Sequence, residues 1–302
     1  MRKPLVLLPA LLLTHLPILP PQDWWPVFSP SGRYVAFTQV TGNTMTLEVA
    51  DLQMHRTVKI AANQGQLAPS WSKADRLAFS LGGKIYTESP NGTARARVTS
   101  AEGRSFAPAW RPGSSTQLAY LTTNGAQNTD LWVAGTLWAR DAIGRPAWSP
   151  DGTTLAFQRD DGIYVTTAPG ADRKVASISN PQAPAWSPDG REIAYTAARK
   201  IWIVPADGSS APRALVAVGV IASDPAWVPD GTAVAYTSAG AVWETSLKGV
   251  TNRFHAATNA GVSVSSRNGA IAFPGPNPKC PSHGAVLLDT AGHTTTLAGN
   301  CT

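Results

Sequence analysis

Charged residues are scarce in this chain of 302 residues. Asp, Glu, Lys and Arg together make up 15% of it, and its formal net charge is only +6. The positive charges are scattered, and no run of Lys or Arg is interleaved with aromatic residues. The sequence therefore gives little support to nucleic-acid binding.

A hydrophobic run long enough to cross a membrane is also lacking. Arg2 and Lys3 precede an apolar stretch, residues 5–13, which is shorter than the roughly 20 residues that a membrane helix needs. We interpret residues 1–22 as a secretory signal or, if it is retained, an N-terminal anchor. We expect residues 23–302 to form a single domain without a transmembrane span, periplasmic or secreted, and monomeric.

Cysteine is limited to two residues, Cys280 and Cys301, both near the end of the chain. Export places a chain in an oxidising compartment, where a single pair of cysteines is most simply a disulfide. We therefore predict a Cys280–Cys301 bond. Two free buried thiols are the alternative.

Catalytic signatures are missing as well. The stretch 261–265 lacks the final glycine of a G-x-S-x-G nucleophile elbow, and Gly82-Gly83-Lys84 lacks the other residues of a phosphate-binding loop. The five histidines share no metal-ligand spacing. The sequence thus predicts no catalytic residue, no cofactor and no metal site.

What the chain has in abundance is a repeated turn. The sequence PAWSPDG occupies residues 146–152 and recurs at residues 184–190, and residues 225–231 differ from it at one position. Proline pre-sets φ in such a turn, Asp bonds to nearby backbone, and Gly adopts the left-handed conformation. The turn glycines and aspartates are therefore predicted turn formers: Asp151, Gly152, Asp189, Gly190, Asp230 and Gly231.

Each repeat continues with an aliphatic residue, an alanine and an aromatic residue. Seven such triplets occur, and their alanines are Ala36, Ala78, Ala119, Ala156, Ala194, Ala235 and Ala272. A period near forty residues with four strand-like segments per unit is typical of a β-propeller blade. The sequence predicts an all-β fold, a seven-bladed β-propeller of four-stranded antiparallel blades.

A tryptophan precedes the repeated turn in five units. These residues are Trp71, Trp110, Trp148, Trp186 and Trp227. Large aromatic residues at repeat spacing usually fill interfaces between sheets, so we expect them in the core. The alternative is that their indole N–H groups reach into a central channel.

The motif PAWSPDG followed by Leu-Ala-Phe resembles the propeller repeat of TolB and of tricorn-type proteins, in seven copies along the chain. TolB proteins carry an α/β domain ahead of their propeller. Here only residues 22–25 separate the leader from the first repeat, so we expect that domain to be lacking. The resemblance implies that the propeller binds a protein at the mouth of its channel.

Alternate loops of a four-stranded blade emerge on opposite faces of the disc. The repeated turns share one face, and the connections between blades share the other with the loops between second and third strands. We expect Arg104, Arg145 and Asp224, in those connections, to contact a protein partner in the cell envelope, although they could be ordinary solvated loop residues. The predicted function is a non-catalytic binding scaffold, and a propeller enzyme or small-ligand binder at the channel mouth is the alternative.

Overall fold

The structure is a computed structural model that describes residues 26–41, 43–63, 65, 67–99, 103–123, 129–215, 222–238, 241–249, 251–256, 265–267, 270–276, 283–288 and 294–297. The predicted leader and both cysteines lie outside these residues. The proposed signal and the Cys280–Cys301 bond therefore stay predictions.

The described chain is built of antiparallel strands in groups of four consecutive strands. The first three sheets contain β1 (Val27–Phe28), β2 (Tyr34–Thr41), β3 (Thr44–Asp51), β4 (Arg56–Asn63), β5 (Ser70–Trp71), β6 (Leu77–Leu81), β7 (Lys84–Glu88), β8 (Ala96–Arg97), β9 (Ser105–Trp110), β10 (Leu118–Thr123), β11 (Thr129–Val133) and β12 (Thr136–Ala139).

The next three sheets contain β13 (Ile143–Trp148), β14 (Leu155–Arg159), β15 (Gly162–Thr166), β16 (Arg173–Ser177), β17 (Gln182–Trp186), β18 (Glu192–Ala197), β19 (Lys200–Pro205), β20 (Arg213–Ala214), β21 (Ala222–Trp227), β22 (Ala233–Ser238), β23 (Ala241–Ser246) and β24 (Thr251–Ala256). The last sheet contains β25 (Ser265–Arg267), β26 (Ala270–Pro276), β27 (His283–Leu288) and β28 (Thr294–Leu297).

The first hairpin turn separates these sheets into two kinds. In the first six sheets a backbone N–H of the turn donates a hydrogen bond to the carbonyl of the residue that follows the aromatic position. Gly152 donates in this way to Ser149 (2.8 Å), and Gly190 to Ser187 (2.9 Å). The second unit has no glycine at this place, and Asp75 adopts the left-handed conformation instead, with φ +52°. We call these six sheets blades 1 to 6.

The last sheet is not built on this turn, so the predicted seven-bladed propeller is wrong: the repeat forms six blades. Arg267 pairs with Ala270, so only two residues separate β25 from β26, whereas six separate Trp148 from its partner Leu155 in blade 4. Residues 265–267, which align with the repeated turn of the other units, are strand. The two intervening residues are Asn268-Gly269, the sequence that favours two-residue hairpins.

The last sheet nevertheless lies between blade 6 and blade 1. β25 contacts both β21 and β1, and Ala272 and Leu297 share a buried cluster with Val35, Phe37 and Ala50 of blade 1. Every described sheet consists of consecutive strands, so among these strands none from one end of the chain completes a sheet at the other.

The large-small-large triplet explains how neighbouring blades stack. Leu155 and Phe157 of blade 4 are buried against blade 3, whereas Ala156 faces Ile193 and Tyr195 of blade 5. Successive strand residues point to opposite faces, so the small alanine leaves room for the two large side chains of the next blade. Burial of these apolar faces is the main stabilising contribution of each interface.

The repeat tryptophans pack between blades as predicted, and every repeat indole except that of Trp110, whose N–H has no partner among the described residues, makes a further contact. The indole Nε1–H of Trp148 donates to the carbonyl of Ala109 (3.1 Å), that of Trp186 to Ala147 (2.8 Å), and that of Trp227 to Ala185 (3.0 Å). Each acceptor belongs to the first strand of the preceding blade. These N–H groups therefore bind the neighbouring blade rather than a ligand in the channel.

Trp148→Ala should lower the free energy of unfolding by about 3–5 kcal/mol, because a buried aromatic ring leaves a cavity. Trp148→Phe keeps most of the ring and loses the indole bond, so it should cost about 1–2 kcal/mol. Denaturant unfolding of the two variants measures both values. A loss below about 1 kcal/mol for Trp148→Ala would contradict the packing described here.

One buried carboxyl lies on the face of blade 1 that meets the last sheet. Glu48 is 6% exposed, and its Oε2 has no hydrogen-bond partner. Ala50, two residues further along the same strand face, belongs to the cluster shared with the last sheet. Burial raises the pKa of Glu48 to about 7, against a smaller opposing effect of Lys59.

Glu48 should therefore make the protein less stable as the pH rises. A carboxyl with a raised pKa in the folded state stabilises the fold below its unfolded pKa, and this stabilisation is lost as the pH rises through about 7. Glu48→Gln should raise the thermal midpoint at pH 8 by about 5 °C and change it little at pH 4.5. Thermal unfolding at both pH values tests this, and an equal change at both would refute it.

Candidate functional site

The first strands of the blades line the central axis. Contacts join β9 to β13, β13 to β17 and β17 to β21, so the first strands of successive blades form an inner ring. Residues at the start of these strands therefore surround one end of the channel. This end is the loop face, opposite the face that carries the repeated turns.

A residue in the left-handed conformation interrupts each of these inner strands. Ala107 (φ +51°), Ala183 (φ +52°) and Asp224 (φ +53°) each precede a proline, and Gly144 (φ +73°) stands one residue further back. The pairing with the second strand shifts register at this point. Proline has no N–H to continue the ladder, so the strand bulges beside the channel.

The preceding blade supports two of these bulges through a side chain. Gln158 Oε1 of blade 4 accepts the N–H of Ala183 in blade 5 (3.1 Å), and Thr196 Oγ1 of blade 5 accepts that of Asp224 in blade 6 (3.2 Å). Both acceptors follow the aromatic residue of the triplet directly. The N–H groups of Ala183 and Asp224 are thereby satisfied within the protein.

Arg145, one of the predicted binding residues, lies within β13 rather than in a blade connection. It is half-buried, and its Nη2 donates to the carbonyl of Pro69 in blade 2 (3.0 Å). The bond joins two blades that are not neighbours. Arg145 therefore has a structural role, whatever else it contacts.

Arg104 and Asp224 occupy different positions from each other. Arg104 is exposed and stands one residue before β9, where its backbone N–H donates to Thr123 Oγ1 (2.9 Å). Asp224 is half-buried and forms the bulge of β21. Among the three predicted residues, Arg104 is thus the one whose side chain is exposed to solvent.

On the opposite face, the predicted turn aspartates act as turn formers. Asp151 Oδ1 accepts from the Ser149 hydroxyl (2.6 Å) and the Thr153 N–H (3.0 Å), and Asp189 repeats the pattern with Ser187 and Arg191. These hydrogen bonds, that of the serine above all, lower the pKa of both carboxyls. Both aspartates are therefore ionised at neutral pH.

The turn face also holds a groove that sequence reasoning did not predict. It has a volume of about 660 Å³, lies between blades 4 and 5, and is lined by Trp186, Arg173, Glu192 and Asp207 among others. An adjoining pocket of about 190 Å³ shares Trp186 and Thr154 with it. The sequence feature that could have indicated the groove is Thr154, a small residue at the position that Tyr34 occupies in blade 1.

The groove's charged side chains are partly engaged. Arg173 donates to the carbonyls of Asp207 (2.7 Å) and Ala206 (3.2 Å), and Glu192 is 3.6 Å from Arg213. Within the described residues, no three His, Cys, Asp or Glu side chains are grouped to hold a metal ion. The described part of the chain likewise contains no helix that is long and apolar enough to span a bilayer.

The bulges predict opposite effects for two substitutions. Ala183→Gly should stabilise the protein by up to about 1 kcal/mol, because alanine is strained at positive φ and glycine is not. Gly144→Ala should destabilise it by about 1–3 kcal/mol, since a Cβ there would lie 2.4 Å from Gln158 Nε2. Denaturant midpoints measure both, and effects of the same sign would contradict the assigned bulge.

Comparison with known proteins places the chain near TolB. No family model matches it. It is 32% identical over 91 residues to a TolB homolog of Chlorobium chlorochromatii and 28% identical over 101 residues to one of Chlorobium luteolum. These segments cover 29% and 32% of this chain, and only 21% and 23% of those proteins, about a fifth of their length.

Solved structures share the fold over most of the chain. TolB from Acinetobacter baumannii superposes with a TM-score of 0.53 at 16% identity. The match covers 87% of this chain and 78% of the TolB chain. An oligogalacturonate lyase in complex with manganese scores 0.66 at 15% identity (86% and 87% covered). The acylaminoacyl peptidase of Pyrococcus horikoshii scores 0.63 at 12% identity (91% and 52%).

These likenesses are of two kinds. The curated matches and the TolB structures identify a TolB-like β-propeller protein, with partial coverage in sequence. Identity below 25% to the solved structures shows the fold alone. Because those structures include enzymes, the fold does not distinguish a binding protein from a catalyst.

Proposed function

We propose that this TolB-like propeller is an exported, monomeric scaffold that binds a protein partner in the cell envelope, without catalysis, at the loop-face end of its channel. The observation that carries the proposal is the exposed guanidinium of Arg104, held at the start of an inner strand. The similarity to TolB and the short basic leader support the envelope location.

The scaffold around Arg104 is fixed by backbone bonds. Its N–H and carbonyl both bond to Thr123, and Lys84 Nζ donates to the carbonyl of Gly103 beside it (2.8 Å). A charged side chain on a rigid strand end loses little backbone entropy when a partner binds. Its positive charge would favour an acidic segment of that partner.

The role of Arg145 follows from its bond to Pro69. A protein partner at this end would meet a side chain that is already half-buried and bound across the axis. Arg145 and Asp224 would therefore shape the channel mouth, whereas Arg104 would supply the exposed charge. Replacing Arg145 would disturb the fold and the site together, so Arg104 is the sharper target.

Arg104→Glu should reduce capture of the partner from envelope extract by at least tenfold and leave the thermal midpoint nearly unchanged, because exposed charges contribute little to stability. Quantitative mass spectrometry of proteins retained by residues 23–302 measures the loss. Arg97→Glu is the matched control, with an exposed arginine on the short strand β8.

Two results would overturn the proposal. One is equal capture by the wild-type chain and Arg104→Glu. The other is an equal loss with Arg97→Glu, which would mean that net charge rather than this channel end governs capture.

A further inference from the structure

We propose that the cleft between blades 4 and 5 on the turn face receives the arginine side chain of a protein partner, which stacks on Trp186 between Asp151 and Asp189. The cleft is the pocket of about 190 Å³, lined by these three residues with Ser149, Thr154 and others. The choice of a protein as the source of this arginine rests on the proposed function. The cleft itself lies on the face opposite Arg104.

Trp186 differs from its equivalents in burial although it makes the same hydrogen bond. The other four repeat tryptophans are buried, at 6% to 9% exposure, whereas Trp186 is partly buried and lines both pockets of this cleft. Its indole N–H is satisfied by Ala147, so the exposed part is the apolar ring. Among the five repeat tryptophans, Trp186 is the one that is not in the buried class.

The cause is a small residue at the position that covers the next blade's aromatic ring. In blade 1 this residue is Tyr34, whose ring stacks on Trp71 with centroids 6.0 Å apart. In blade 4 the equivalent residue is Thr154, which has no ring to cover Trp186. The open indole is thus a consequence of the sequence of blade 4.

The neighbouring cleft shows what such a space can hold. Between blades 3 and 4, the guanidinium of Arg111 lies over the ring of Trp148, 5.6 Å from its centroid. Its stem packs so closely that a Cβ on Gly152 would be 3.1 Å from Arg111 Cγ. The equivalent of Arg111 in blade 4 is Ser149, so the same place beside Trp186 is left open.

Charge in the open cleft favours a cation. Asp151 and Asp189 are exposed, and the turns fix the orientation of both carboxylates. Arg191 Nε is 3.9 Å from Asp189 Oδ2, and the Arg191 side chain is 85% exposed, so it leaves the pocket open. Guanidinium stacks on tryptophan and bonds to carboxylates, and the two contacts together favour arginine.

The test uses two capped peptides and the full chain. In the NMR spectrum, the indole N–H signal of Trp186, assigned from its loss in Trp186→Phe, should shift on titration with acetyl-Gly-Arg-Gly-amide and saturate at a dissociation constant on the order of millimolar. The citrulline peptide, neutral but of the same shape, should give no saturable shift.

Variants locate the site. Asp151→Asn with Asp189→Asn keeps the turn chemistry, because asparagine also caps such turns, and should weaken binding at least threefold. Ser149→Arg copies the neighbouring cleft and should abolish the shift. Asp230→Asn is the matched control, since it changes the same turn of blade 6 beside the covered Trp227.

Equal shifts with the arginine and citrulline peptides, or an unaltered response in the double variant, would overturn the inference. So would saturable binding that moves the Trp227 signal as much as that of Trp186. Because Arg104 is intact in all these variants, failure here would leave the proposed function standing, and failure of the Arg104 test would leave this site untouched.

Discussion

The hydrogen bond from a repeat indole to the first strand of the preceding blade is the constraint on which the rest of the structure depends. Apolar stacking between flat sheets is non-directional and permits sliding. A bond from Trp186 to the carbonyl of Ala147, or from Trp227 to that of Ala185, fixes one blade against the next at a single point near the axis. The repeat can thus hold a regular ring with few charged contacts.

The same bond determines where chemistry can occur. Because the indoles are held between the inner strands, their N–H groups do not line the channel, and the channel end is defined by the bulges and by Arg104 and Arg145. On the turn face, the rings approach the surface, and the residue above each ring decides whether it is covered. The indole hydrogen bond therefore leaves polar side chains at the channel end and aromatic rings near the surface of the turn face.

Much of the fold could be predicted from the sequence because the determining signals are local and repeated. The turn of Asp151, the alternation around Ala156 and the burial of Trp148 each follow from a few adjacent residues. The last unit was predicted less well, since it was counted as a seventh blade of the repeat, whereas Ser265 lies in strand β25 rather than in the repeated turn. There the two-residue hairpin signal Asn268-Gly269 outweighed the pattern of the other repeats.

The sites were harder to predict because they depend on contacts between units. The bond from Arg145 to Pro69 joins residues 76 positions apart, and no local pattern indicates it. The groove beside Trp186 arises because the small side chains of Ser149 and Thr154 leave part of the indole ring uncovered. This becomes apparent only when Thr154 is compared with Tyr34, its equivalent beside Trp71.

The uncovered ring of Trp186 is itself an argument for function. Burying the rest of such a ring would stabilise the protein, and the chain solves that problem elsewhere with Tyr34 and with Arg111. Natural sequences break a local rule mainly at functional sites. A repeat protein offers several internal copies against which such a departure can be measured, and the cleft between blades 4 and 5 departs in having the small Thr154 where blade 1 has Tyr34.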